Sequence, residues 1–148
     1  MKCRAAVVLV LVAALGLAGC STQAGPRVLN REATAEDKLP DSVGLSGVDL
    51  EVEPGSARLV ATHDDVKYYV AKSKTGGAYC LFVVPVGLPE RWRAGCSGPG
   101  TSERIVTVSG ADRSEATLIN DGVDTNRPEF QGLTKIHDNV LISEPSPY

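Results

Sequence analysis

The chain has 148 residues, of which 43% are hydrophobic but only 5% aromatic, and its formal net charge is −3. This length leaves room for one domain with a modest core. The small negative charge excludes a polybasic nucleic-acid binder, and the apolar content excludes a disordered acidic tail. The apolar residues are concentrated near the N-terminus, where positions 5–17 form an unbroken run of apolar residues and glycine.

The first 19 residues have the layout of an exported signal peptide. Lys2 and Arg4 supply positive charge, the apolar run follows, and Ala18 and Gly19 provide a cleavage context of small residues. The run is shorter than the roughly 20 apolar residues that a membrane-spanning helix needs. We therefore expect cleavage of this segment and no permanent transmembrane anchor.

The tetrapeptide Leu17-Ala18-Gly19-Cys20 resembles the lipobox of bacterial lipoproteins. In that family the cysteine thiol takes a diacylglyceryl group as a thioether, and cleavage makes this cysteine the new N-terminus. The resemblance implies that Cys20 carries the lipid. Two or three acyl chains such as palmitate, with each methylene adding about 0.8 kcal/mol of membrane affinity, form an effectively permanent anchor. The alternative is an ordinary secretory peptide with a chance cysteine at its end.

Removal of residues 1–19 leaves a mature chain in which 13 basic residues face 18 acidic ones, because Lys2 and Arg4 are lost. An acidic domain attracts neither nucleic acid nor anionic headgroups, so we expect no nucleic-acid partner and membrane attachment through the lipid on Cys20 alone. The domain would face the extracytoplasmic side of the cell membrane. Residues 20–33 are predicted to be a flexible tether, and residues 34–148 a single β-rich domain.

The remaining cysteines agree with export. Cys80 and Cys96 are an even pair in a domain facing an oxidising compartment, so we predict a disulfide that constrains the unfolded chain by about 3 kcal/mol. A zinc site or a catalytic thiol is disfavoured, because there is no Cys-x-x-Cys spacing and His63 and His137 lie at no zinc-ligand interval from either cysteine. No metal and no cofactor are predicted.

Alternating polar and apolar residues, separated by turn signals, predict a mainly β fold. The predicted strands are 48–53, 57–62, 66–72, 78–86, 91–97, 104–109, 116–120 and 140–143. The most apolar of them, 78–86, is placed centrally. Thr34 and Asp37 have the spacing of a helix N-cap and predict one short helix that ends at Pro40. We expect a small antiparallel sheet or meander, curved or barrel-like, with one short N-terminal helix and one disulfide.

A second resemblance covers residues 34–97. Its blocks are Asp37-Lys38-Leu39-Pro40, Ser56-Ala57-Arg58-Leu59-Val60, Tyr69-Val70-Ala71, Tyr79-Cys80-Leu81-Phe82-Val83 and Ala94-Gly95-Cys96-Ser97. They resemble small exported proteins of unassigned function from high-GC Gram-positive (actinobacterial) bacteria. The resemblance implies a fold and a disulfide, and it implies no activity.

Few residues suggest a chemical activity. The carboxylates of residues 49, 51 and 53 alternate with apolar side chains, which is typical of a solvated strand face. Residues 120–124 lack the register of a calcium loop and are interpreted as a turn. His63-Asp64 and His137-Asp138 are imidazole–carboxylate neighbours of the kind that a small hydrolase would use, but adjacent strand residues point to opposite faces, so polar turns are the simpler interpretation.

The best candidates for partner binding are Arg91-Trp92-Arg93, followed by Tyr68-Tyr69, because tryptophan, tyrosine and arginine are enriched in binding hot spots. Alternation places both arginines on one face, and Trp92 is expected in the core over the disulfide. We therefore expect a lipid-anchored extracytoplasmic protein that binds an envelope protein or surface ligand, or has a structural role, without catalysis. The alternatives are a surface inhibitor of a hydrolase, such as a lysozyme or a protease, and a small hydrolase using His63 or His137.

Overall fold

The structure, a computed structural model, describes residues 25–100 and 102–145. The predicted signal peptide, the predicted lipobox and Cys20 lie outside these residues. The strands are β1 (Arg58–His63), β2 (Val66–Lys72), β3 (Tyr79–Pro85), β4 (Arg93–Cys96), β5 (Arg104–Ser109), β6 (Glu115–Ile119), β7 (Thr134–His137) and β8 (Val140–Ser143). Single turns of 3₁₀ helix lie at Arg27–Asn30, Ala35–Asp37, Pro89–Arg91 and Pro128–Phe130. Within the described ranges, no helix has the length and apolarity that crossing a membrane requires.

The first sheet is an antiparallel meander in the order β1-β2-β3-β4. Asp64 and Asp65 both have positive φ, which is the backbone geometry that lets a two-residue hairpin follow the twist of its strands. β3 is buried along its length, as its apolar sequence predicts. In the pairing of β3 with β4, Cys80 lies opposite Cys96, and a disulfide joins them. The predicted mainly β fold and the predicted disulfide are confirmed.

The second sheet has the order β5-β6-β8-β7, also antiparallel. Its edge strand β7 was not predicted, because the sequence Thr-Lys-Ile-His has one apolar residue and shows no clear alternation. The described strands therefore form two four-stranded sheets in place of the single sheet expected, and over residues 25–100 and 102–145 they do not close into a barrel.

The two sheets pack face to face around the main core. The inward side chains are Tyr68, Val70, Leu81 and Val83 from the first sheet and Val108, Ala116, Leu118, Val140 and Ile142 from the second. Gly95 lies where β4 meets β5, and a Cβ there would come within 3.3 Å of Cγ2 of Val106. The absence of a side chain at this position therefore allows the close approach of the two sheets.

The outer face of the first sheet is covered by the chain that precedes β1. This outer cluster contains Val43, Val52, Tyr69, Ala71, Cys80, Phe82 and Val84. The predicted strand over 48–53 is wrong: Val52 forms an isolated bridge with Ser73, and the segment serves as a cover for the sheet. The predicted short helix is one turn of 3₁₀ helix, in which Thr34 and Asp37 form the capping box that their spacing predicts.

Part of the predicted tether packs against the domain. Leu29 is 4% exposed within the first 3₁₀ turn. The backbone N–H of Arg27 donates to the Asp121 carboxylate at 2.8 Å, and Arg31 forms an ion pair with Asp37. Residues 27–31, expected to be flexible, are thus held by one apolar side chain and by polar contacts, of which the one from Arg27 reaches a residue 94 positions away.

Candidate functional site

A cleft of about 270 Å³ opens between the two sheets at one end of the molecule. The β1–β2 turn, the end of β3 at Pro85 and the start of β4 at Arg93 form its border on the first sheet. The β5–β6 turn and the residues that follow β8 form its border on the second. The polar and charged residues on this border are His63, Asp64, Tyr68, Arg93, Asp112, Ser114, Glu115, Ser143 and Glu144.

Arg93 connects the two sheets across the cleft. Its Nη2 atom donates to the Ser114 hydroxyl at 2.8 Å, and that hydroxyl donates to Oδ1 of Asp112 at 2.6 Å. The hydrogen bond from Ser114 lowers the pKa of Asp112. A Cβ at Gly110 would overlap both the Arg93 guanidinium and the Asp112 carboxylate, so the network requires glycine at this position.

One polar atom of this network has no partner. Nε of Arg93 is buried and makes no hydrogen bond to any described residue. A buried donor without an acceptor costs free energy, typically 1 to 3 kcal/mol.

The two tyrosines predicted to bind a partner lie on opposite faces of β2. Tyr68 faces the second sheet, borders the cleft and is 6% exposed, and this burial raises the pKa of its phenol. Its hydroxyl makes no hydrogen bond to a described residue and is not fully buried, so it opens to the cleft. Tyr69 is 1% exposed in the outer cluster, so its proposed role in partner binding is corrected: no free surface remains on its ring.

The three residues Arg91, Trp92 and Arg93 do not form one binding surface. Arg91 ends a 3₁₀ turn and is exposed, whereas Trp92 packs in the outer cluster with its ring centroid 6.2 Å from that of Phe82. Arg93 begins β4 and enters the cleft. The expected placement of both arginines on one strand face is not observed, because Arg91 precedes the strand.

The loop that leads to β4 exposes apolar side chains at the same end of the molecule. Val86 and Leu88 are 49% and 45% exposed, and both lie close to the cleft border in sequence. The backbone N–H of Val86 donates to the carbonyl of Asp65 at 2.8 Å, which fixes this loop to the β1–β2 turn.

A second concavity lies on the outer face of the first sheet. This groove has a volume of about 420 Å³ and is lined by Leu39, Leu45, Val52, Pro54 and Ala57, among others. Its buried polar group is Asp37, whose carboxylate binds Arg31 and accepts backbone N–H groups from Thr34 and Leu59. The lone pairs that would orient a ligand here are thus engaged by the protein.

Each histidine lies at the end of a strand and contacts its own turn. Nε2 of His63 is 3.3 Å from the Asp64 carboxylate. His137 is partly buried, and its Nδ1 atom accepts the backbone N–H of Asn139 at 3.1 Å. Burial lowers the pKa of His137. Neither of these contacts involves a serine hydroxyl.

The chain enters the described structure at the end opposite the cleft. Gly25 lies against the ring of Tyr79, which begins β3, and Arg27 bonds to Asp121, which follows β6. β3 then runs to Pro85 on the cleft border. At about 3.3 Å per residue, the entry of the chain and the cleft are separated by roughly 20 Å along this strand.

Sequence reasoning placed Arg93, Tyr68 and His63 among its candidates but missed Asp112, Ser114 and Glu144. The first two lie at a predicted hairpin turn, and Glu144 follows the last predicted strand, so their positions at strand ends were visible in the sequence. The sequence did not indicate how one sheet packs against the other, and this packing is what brings the strand ends together.

Comparison of this chain with family models, with curated proteins and with solved structures finds no match.

Proposed function

We propose that this protein is a lipid-anchored extracytoplasmic binding protein of the cell envelope, and that its ligand enters the cleft between the two sheets. The observation that carries the proposal is the position of the cleft, which lies at the end remote from the chain entry at Gly25. A lipid on Cys20 would attach the opposite end to the membrane. The cleft would then be turned toward the extracytoplasmic space.

The cleft is a better candidate than the groove because some of its polar groups make no hydrogen bond to the protein. Small-molecule sites combine apolar walls with a few polar groups that orient the ligand. The Tyr68 hydroxyl and Nε of Arg93 have no partner among the described residues, whereas the Asp37 carboxylate in the groove is bound from several sides.

The charge of the border indicates the class of ligand. Four carboxylates border the cleft, from Asp64, Asp112, Glu115 and Glu144, against one guanidinium, from Arg93. A concave surface with an excess of one sign attracts the opposite sign. A volume of about 270 Å³ admits a small ligand. We therefore infer a small ligand, or a group on a surface polymer, that carries positive charge.

The anchor is tested by cell fractionation and lipid labelling. Wild-type protein should be found in the membrane fraction and incorporate labelled palmitate, and Cys20→Ala should abolish the label because the thioether cannot form. Cys3→Ala is the matched control and should change neither result. Normal lipid labelling of the Cys20→Ala protein would overturn the anchor.

The cleft is tested with the full chain carrying Cys3→Ser and Cys20→Ser, purified in mild detergent and named here the anchor-free chain. Immobilised anchor-free chain should retain a component of the cell-envelope extract, and Asp112→Asn should reduce retention at least fivefold. Glu51→Gln, an exposed carboxylate outside the cleft, is the control. Equal retention by all three proteins would place the binding surface elsewhere.

A second candidate function is inhibition of a surface hydrolase. The exposed Val86 and Leu88 favour it, because an apolar loop held at its base can enter the cleft of an enzyme. Leu88→Asp would abolish such inhibition while leaving binding in the cleft unchanged, so an inhibition assay against lysozymes and proteases separates the two functions.

A further inference from the structure

Three potential metal ligands meet at the mouth of the cleft. His63 ends β1, Asp64 begins the following turn, and Glu144 comes directly after β8. One ligand atom from each side chain lies within 4.8 Å of the other two. Residues 63 and 144 are far apart in sequence, and the packing of the first sheet against the second brings them together.

Few positive side chains border this position. Asp64 and Glu144 are both exposed carboxylates. Arg93 is the one arginine or lysine among the described residues bordering the cleft, and its guanidinium already binds Ser114 beside Asp112. Two carboxylates that share one space repel each other, and a cation between them removes the repulsion.

Tyr68 is an independent sign of a ligand at this end of the cleft. Its side chain is more than nine-tenths buried, it borders the same cleft, and its hydroxyl has no partner among the described residues. The hydroxyl is not one of the buried atoms without a partner, so it is accessible from the cleft and can contact a ligand there. Because burial raises the pKa of the phenol, the hydroxyl stays protonated at neutral pH and can donate to an oxygen atom.

We propose that His63, Asp64 and Glu144 bind a divalent cation at the mouth of the cleft, with the Tyr68 hydroxyl donating to a water molecule or ligand oxygen on that cation. An imidazole with two carboxylates is a ligand set suited to Zn²⁺ or Mn²⁺, and it supplies fewer oxygens than Ca²⁺ requires. This inference rests on the proposed function, because it specifies the positive charge that the acidic cleft takes.

Binding of Zn²⁺ by these three side chains requires only small movements of them. At metal–ligand distances of about 2.0 to 2.2 Å, two ligand atoms on one Zn²⁺ lie at most about 4.4 Å apart. The observed limit of 4.8 Å is slightly larger. The Asp64 side chain is 79% exposed and the His63 side chain 37% exposed, so both are free to turn toward a cation.

The test is isothermal titration of the metal-free, tag-free anchor-free chain with ZnCl₂, and with MnCl₂ and CaCl₂ in parallel. We expect one saturable Zn²⁺ site per chain and weaker binding of Ca²⁺. His63→Ala and Glu144→Gln should each weaken Zn²⁺ binding at least tenfold. The matched control is His137→Asn, which changes the other histidine and should leave the affinity unchanged.

A tyrosine variant separates a metal site from a structural role. Tyr68→Phe should leave the thermal unfolding midpoint of the metal-free protein within about 2 °C, because the hydroxyl has no partner to lose. It should weaken Zn²⁺ binding threefold or more. Unsaturable binding by the wild type, or undiminished affinity in His63→Ala, would overturn the inference.

The metal site and the proposed function fail in different ways. If Zn²⁺ does not bind but the envelope extract is still retained through the cleft, the metal inference falls and the proposed function stands. If Zn²⁺ binds at His63 while Asp112→Asn retains the extract as well as the wild type, the metal site stands and the proposed function falls.

Discussion

Arg31 binds both oxygens of the Asp37 carboxylate: Nη1 lies 2.6 Å from Oδ2, and Nη2 lies 2.6 Å from Oδ1. The same carboxylate accepts the backbone N–H groups of Thr34 and of Leu59 in β1, each at 2.7 Å. It is 2% exposed. One side chain therefore joins the N-terminal segment, the second 3₁₀ turn and the edge of the first sheet, and Arg31 above all holds its pKa well below the usual range.

Asp37→Asn should destabilise the fold, because an amide turns an NH₂ group toward donors that need an acceptor. We expect a loss of about 2 to 4 kcal/mol in the free energy of unfolding, measured by urea denaturation at pH 7. Asp41→Asn, which removes an exposed ion pair with Lys38, is the matched control and should cost less than about 0.5 kcal/mol. Similar losses in both variants would contradict the role given to Asp37.

Acid should weaken the fold through the same carboxylate. The pKa of Asp37 is lower in the folded protein than its unfolded value of about 3.9, so the contribution is complete above roughly pH 5 and is lost as the pH falls toward the folded pKa. The wild type should therefore lose its stability advantage over Asp37→Asn between pH 5 and pH 2. A difference that stays constant over this range would contradict the prediction.

His137 should make stability depend on pH nearer to neutrality. Its Nδ1 atom accepts a hydrogen bond from Asn139, and burial lowers its pKa below the ordinary value of about 6.5, so the folded protein prefers the neutral imidazole. Stability should be complete above about pH 7 and fall as the pH drops below 6.5. His137→Asn keeps an acceptor that does not titrate, and its unfolding midpoint should vary less between pH 7.5 and 5.5.

Acidic groups near His137 oppose the effect of burial. Asp121 and Asp138 raise its pKa, while Lys135 and Arg31 lower it. Added salt screens the electrostatic effect of these charged side chains, but it does not alter the burial of the His137 imidazole. If the pH dependence of the wild type equals that of His137→Asn, the imidazole is not the group responsible.

The disulfide should contribute a large share of the stability. Cys80 and Cys96 are 16 positions apart, and a link of that length restricts the unfolded chain by about 3 kcal/mol. The double variant Cys80→Ala/Cys96→Ala should lose this amount in urea denaturation, and added reductant should lower the stability of the wild type alone. A loss below about 1 kcal/mol would show that the pairing of β3 with β4 is sufficient without the link.

Gly110→Ala should disturb the cleft rather than the core. The new methyl group would overlap the Arg93 guanidinium and the Asp112 carboxylate, so the Arg93–Ser114 hydrogen bond should break. We expect weaker retention of envelope extract and a loss of about 0.5 to 1.5 kcal/mol in the free energy of unfolding, the usual net contribution of one hydrogen bond. Gly44→Ala, at a position where a Cβ meets nothing within 4 Å, is the control. Full retention by Gly110→Ala would contradict the role of the network in binding.

Local patterns predicted most of the first sheet. The turn at 64–65, the apolar run of β3 and the spacing of Cys80 and Cys96 act between neighbouring strands, so the chain order alone determines which residues meet. The segment 48–53 was misassigned because alternating polar and apolar residues mark any half-buried segment, whether it is a strand of the sheet or a loop that covers the sheet. Here Val52 packs on the sheet while forming a single bridge to it.

The candidate site was less predictable, because it depends on how the two sheets face each other. His63 and Glu144 belong to different sheets, and nothing in the sequence indicates that these two sheets pack against each other at this point. Strand alternation does separate Tyr68 from Tyr69, but it leaves open which of them faces the second sheet. The burial of Leu29 was not predictable, because it lies in a segment of mostly polar and small residues and a single buried side chain produces no periodic pattern.

Binding of an extracytoplasmic ligand in the cleft can be followed directly by two-dimensional ¹H–¹⁵N NMR of the anchor-free chain during titration with fractionated cell-envelope extract. If the ligand binds in the cleft, the shifted amide signals should concentrate on the cleft border, at His63, Tyr68, Arg93 and Glu144. Signals at the groove, such as that of Leu45, should stay in place. Shifts that concentrate at the groove, or a titration that moves no signal, would contradict binding in the cleft.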